Sequence, residues 1–97
     1  MLEQYKRMAA KLVCYKLGSI SAIRRTNLHR ELYGYTDNSN HGKYKYHRKG
    51  FLEDVKHKKV LDCVIIVSNE NSGNLVKILR KYNAKISIFN ILVNFKL

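Results

Sequence analysis

The sequence predicts an α+β domain in which two N-terminal helices, a basic β-hairpin and a C-terminal βαβ unit form a small mixed sheet. Three observations predict it. Residues 2–17 carry apolar side chains at helical spacing, a polar turn-forming cluster over residues 37–42 is flanked by tyrosine-bearing arms, and two apolar runs near the C-terminus are separated by an amphipathic segment of helical length. The 97 residues fit one domain, residues 1–97, able to bury roughly 60–65% of its unfolded surface.

In the first segment Tyr5, Met8, Ala9, Leu12 and Val13 make the i, i+3, i+4, i+7, i+8 stripe of an amphipathic helix, with Glu3 and Arg7 in favourable i, i+4 order and Gly18 as its stop. Ser19 or Ser21 then caps a second helix running to about Glu31. Ile20, Ile23, Leu28 and Leu32 form its apolar half, into which Arg24 and Asn27 intrude, while Arg25, Thr26, His29, Arg30 and Tyr33 share the other half.

Asp37-Asn38-Ser39-Asn40-His41-Gly42 is rich in residues that turn the chain through side-chain-to-backbone bonds or a left-handed backbone. A hairpin centred there sets Tyr35 against Tyr44 and Tyr33 against Tyr46, all four rings on one face, with Lys43, Lys45, His47 and Lys49 on the other. Phe51–Val55 is a short connection. The nearly continuous apolar run Val60–Val67 reads as one strand covered on both faces. Ser68 or Asn69 caps a helix to about Tyr82 with Leu75, Val76, Ile78, Leu79 and Tyr82 inward, Asn83 ends it in a left-handed conformation, and Lys85–Val93 is the last strand. Strand, helix and strand at this spacing predict a right-handed βαβ crossover.

A formal charge of +12 and a pI near 9.9 make polyanions the expected partners, nucleic acid before an anionic membrane. The longest uncharged run, Ile86–Phe95, is about half a bilayer span and reads better as a buried strand, so no membrane partner is expected. The N-terminus has no apolar core of a secretory signal, which predicts a cytoplasmic chain. Cys14 and Cys63 lack CxxC or His-pair neighbours and read as reduced, partly buried small hydrophobes.

Seven of the 19 Lys and Arg residues lie between Lys43 and Lys59, against two acids, and Lys43-Tyr44-Lys45-Tyr46-His47-Arg48-Lys49 interleaves cations with rings. Cations attract phosphates and rings stack on bases, so this is the composition of a nucleic-acid contact element. Phosphate neutralisation falls to Lys43, Lys45, Arg48, Lys49, Lys56, Lys58 and Lys59, with Tyr44, Tyr46 and His47 beside them and Arg25, His29 and Arg30 adding contacts from the second helix. Two helices followed by a hairpin resemble the order of helix-turn-helix and winged modules, which implies a helix in the groove and a wing on the backbone; the terminal βαβ departs from that pattern. Duplex DNA is therefore favoured over RNA, with an RNA-binding or ribosome-associated role as the first alternative.

Catalysis has little support. The seven carboxylates show no nuclease-like spacing, the four histidines no zinc spacing, and there is neither a P-loop nor GxGxxG, so a non-enzyme without metal or cofactor is expected. Ser72-Gly73 reads as a plain capping turn. A metal-independent ribonuclease using His41 or His47 is the second alternative. Apolar residues crowded into the last strand predict a homodimer through it, unless helix one covers that strand with Met8, Leu12 and Val13.

Overall fold

The computed structural model describes residues 7–39, 42–95 and 97. Its elements are β1 (Met8–Lys16), α1 (Ala22–Tyr33), β2 (Tyr35–Ser39), β3 (Tyr44–Arg48), a 3-10 turn at Phe51–Asp54, β4 (His57–Leu61), β5 (Val64–Ser68), α2 (Asn69–Lys81) and β6 (Lys85–Val93). β4, β5, β1 and β6, in that spatial order, form a fully antiparallel sheet, and β2 with β3 forms a separate two-stranded ribbon.

The arrangement of two N-terminal helices is overturned. Residues 8–16 are the central strand, bonded on one side to β5 and on the other to β6; residues 2–6 of the expected helix lie outside the described residues. The apolar spacing that fits a helical stripe also fits a strand buried on both faces, Val13 facing the helices and Ala10 the opposite side, and pairing with two neighbours selects the strand. With residues 8–16 a strand, the described residues do not show the helix-turn-helix and winged order.

The Val60–Val67 run is two strands. Asp62-Cys63 forms a two-residue turn between Leu61 and Val64, Cys63 adopts a left-handed φ of 66°, and its carbonyl accepts from Tyr15 N–H at 2.9 Å. The register shifts between Lys59 and Leu61, leaving Val60 as a bulge. The expected βαβ unit is also altered: β5 and β6 run in the same direction, but β1 lies between them and antiparallel to both, so the sheet is not mixed.

α1, α2 and the 3-10 turn all pack on one face of the sheet. Leu28, Leu32, Leu52, Leu75, Leu79 and Tyr82 meet Val13, Ile65 and Val67 there, each aliphatic side chain contributing roughly 1.5–3 kcal/mol by its burial. On the other face Ala10, Ile66 and Val93 form a smaller cluster against which Leu97 packs. The Ser21 hydroxyl accepts from Arg24 N–H at 3.1 Å, fixing the start of α1. Arg24, which intrudes on the expected apolar half, stays exposed and bridges the helices: its guanidinium donates to Lys81 O at 2.9 Å and lies over the Tyr82 ring, tying α1 to the carbonyl end of α2. Ile23, expected on the inner half, is 73% exposed. No helix among the described residues is long and apolar enough to cross a membrane.

Candidate nucleic-acid interface

The β2–β3 ribbon leaves the body through two glycines. Gly34, at φ 79°, donates its N–H to Arg30 O at 2.7 Å and ends α1, while Gly50 returns the chain against it. A Cβ on Gly34 would lie 2.5 Å from Arg48 O, and one on Gly50 would fall within van der Waals contact of the Gly34 and Tyr33 backbone. Backbone therefore packs on backbone at the root of the arm. Glu53 reinforces it, one carboxylate oxygen accepting from Gly50 N–H at 3.1 Å and the other standing 2.6 Å from His47 Nε2.

This anchoring sets the register from the root. Tyr35 lies opposite Arg48, Asp37 opposite Tyr46 and Ser39 opposite Tyr44, four positions away from the expected tyrosine pairing. Tyr33 is not in the ribbon at all, being the last residue of α1. Tyr35, Tyr44, Tyr46 and Arg48 nonetheless share one face, and Lys45 and His47 share the other. Every residue of β3 is exposed, Tyr44 and Tyr46 at 49% each. Arg30 reaches from α1 to stack its guanidinium 4.4 Å from the Tyr35 ring centre.

The seven clustered cations do not form one patch. Arg48 pairs with Asp37 at 3.2 Å and Lys49 with Asp54 at 3.1 Å. The arm and its root carry the four cations Lys43, Lys45, Arg48 and Lys49 against the three carboxylates of Asp37, Glu53 and Asp54, so the net charge there is only +1 with His47 neutral. Lys43 and Lys45 have no carboxylate partner among the described residues. Lys56 precedes β4, and Lys58 and Lys59, as successive strand residues, face opposite sides of the sheet: Lys58 lies over the Phe95 ring at 4.9 Å, Lys59 over the Tyr33 ring at 5.1 Å.

A second constellation lies between α1, the end of β1 and the β4–β5 turn. A half-open cavity of about 350 Å³ there is lined by Tyr15, Leu17, Arg25, Leu28, His29, Leu32, Tyr33, Lys59, Asp62 and Cys63. It brings together three of the expected contact residues, Arg25, His29 and Lys59, from distant parts of the sequence. His29 and Tyr33, one helical turn apart, hold their ring centres 4.8 Å from each other. Lys59 is fixed by Asp62 at 3.2 Å, a hydrogen bond that raises its pKa. Burial raises the pKa of Tyr15, helped by Cys63 and Tyr33, and burial likewise raises that of Tyr33, against the opposing pull of Lys59. Both phenols stay neutral at physiological pH and serve as hydrogen-bonding and stacking surfaces rather than as nucleophiles. The Tyr33 hydroxyl is buried with no hydrogen-bond partner among the described residues.

Tyr15, Asp62 and Cys63 were not legible as members of this site. Asp62 inside an otherwise apolar run was the one local signal, a turn former that breaks the strand and brings Cys63 back against Tyr15. Among the described residues no group of three His, Cys, Asp or Glu side chains is placed to hold a metal; His41 lies outside them. Comparison with protein-family models, curated proteins and solved structures returned no match.

Proposed function

We propose that this chain is a non-catalytic nucleic-acid-binding protein that presents the β2–β3 ribbon to its ligand, with Arg25, His29 and Arg30 of α1 flanking the root. The observation that carries the reading is the mounting of the arm: a two-stranded ribbon whose second strand is exposed throughout, locked at Gly34 and Gly50, holding Lys43 and Lys45 without acid partners among the described residues. A two-stranded ribbon fits the width of the major groove of duplex DNA, which favours duplex DNA as the ligand. The half-exposed Tyr44 and Tyr46 favour a second reading, stacking on unpaired RNA bases. The free thiols of Cys14 and Cys63 support a cytoplasmic setting.

A parallel titration of duplex DNA, single-stranded RNA and structured RNA at several salt concentrations tests it. For about 4–5 neutralised phosphates, log affinity for duplex DNA falls with log salt at a slope near −4. Changing Lys43 and Lys45 to Gln is expected to flatten that slope by about 2, while changing Lys77 and Arg80 moves it less. Equal losses from both pairs would leave only diffuse charge. Intact ligand on a gel is the expected product analysis; cleavage abolished by His47→Ala would replace this reading with the ribonuclease.

A further inference from the structure

We propose that β6 pairs antiparallel with β6 of a second copy of this chain, across a two-fold axis at Asn90, fusing two four-stranded sheets into one of eight strands. The inference does not rest on the nucleic-acid reading. β6 is a nine-residue edge strand, bonded among the described residues only to β1, so alternate backbone N–H and C=O groups point outward along its length. Between Lys85 and Val93 it carries no charge and no proline. Ile88 is 45%, Phe89 53% and Leu92 64% exposed.

These side chains lie on both faces of the sheet. Ile88 pairs with Val13, on the helix-covered face, and Leu92 shares that face by alternation; Phe89 pairs with Leu12, on the opposite one. A helix or a lipid surface laid against one face would leave the other wet. Only a strand added edge-on covers both and bonds the backbone as well.

That the strand is a second copy follows from register and charge. Two identical antiparallel strands bond only when outward residues meet outward residues, so the axis passes through a residue rather than between two. An axis at Asn90 sets Ile88 against the partner copy's Leu92 and Phe89 against its Ile91, so that every exposed apolar residue meets an apolar one. An axis one residue earlier sets Ile88 against Asn90 instead. The antiparallel arrangement keeps the two Lys85 side chains about 34 Å apart along the ribbon, well beyond the screening length, whereas a parallel one would juxtapose them. Lys11, which donates to the Asn90 side chain, stands three strand spacings, about 14 Å, from its mate.

Sedimentation equilibrium at micromolar protein, in salt high enough to release nucleic acid, is expected to give the dimer mass. The pair Phe89→Lys and Leu92→Lys, both at exposed positions, is expected to give a monomer with an unchanged circular dichroism spectrum, and Ile23→Lys on α1 to leave the dimer intact. Under mild oxidation Asn90→Cys is expected to cross-link two chains while Phe89→Cys does not. A monomeric wild type, or a dimer that survives the paired lysines, overturns the interface; cross-linking through position 89 rather than 90 overturns the axis.

Discussion

The two edges of the four-stranded sheet are built on opposite rules. β4 has five residues, a bulge at Val60, Lys58 and Lys59 on its two faces and the 3-10 turn just before it, all devices that keep another strand away. β6 has nine residues, no internal charge and exposed apolar side chains on both faces. The contrast shows that the basic composition is not spread evenly as a solvating coat. Lysine occupies the middle of the edge that borders the α1 cavity, whereas on the edge proposed to receive a second copy it stands only at the first residue, Lys85.

The largest expected effect comes from erasing the difference. Changing Lys58 and Lys59 to Val gives the molecule two edges without internal lysine, and a chain able to pair at both grows into open assemblies instead of stopping at two copies. Light scattering reads the change directly. Particles that stay at the dimer size would show that the short, bulged strand protects this edge without its charges.

A smaller effect is expected at the root of the arm. Gly50→Ala forces a Cβ onto the backbone of Tyr33 and Gly34, and is expected to cost about 2–3 kcal/mol in urea unfolding while weakening nucleic-acid binding and leaving association through β6 unchanged. Loss of association in that variant would mean that the two ends of the molecule are not independent.

The smallest concerns alkali. Tyr15 and Tyr33, in the cavity beside β4, and Tyr82 beneath α1 all have pKa values raised in the folded state, first by burial. An unfolded tyrosine ionises near pH 10. Above that value the unfolded state holds fewer protons than the folded one, so the contribution of these three tyrosines to stability is constant below about pH 9.5 and falls as pH rises further. Thermal midpoints measured across that range, with Tyr15→Phe softening the decline, check the sign. Hydrogen exchange should show α1 and the β4–β5 turn loosening before β6.

Elements set by local chemistry were legible. Ser21, one of two candidate caps of α1, Ser68, one of two before α2, the inward stripe of Leu75, Leu79 and Tyr82, the left-handed Asn83 and the bounds of β6 all follow from side chains acting within a turn or two of themselves. Of the proposed interface, the sequence identified the interleaved cations and rings of β3. It could not reveal that Asp37 meets Arg48, Glu53 meets His47 and Asp54 meets Lys49, or that Lys59 joins Arg25 and His29 around one cavity, because those meetings depend on the ribbon register, on the 3-10 turn and on where β4 lies.

What the sequence by itself determined is periodicity, capping and total charge, since each is a property of neighbours along the chain. Only the tertiary structure decided that Met8–Lys16 is a strand, that it inserts between β5 and β6, that the ribbon takes its register from Gly34 and Gly50 instead of from its loop, and that β6 is an exposed edge instead of a buried strand. The physical reason is common to all four. An apolar run such as Leu12–Tyr15 satisfies its backbone equally well as helix or strand, and the choice falls to the partners on either side, whose hydrogen bonds and buried faces come from residues 50 to 77 positions away.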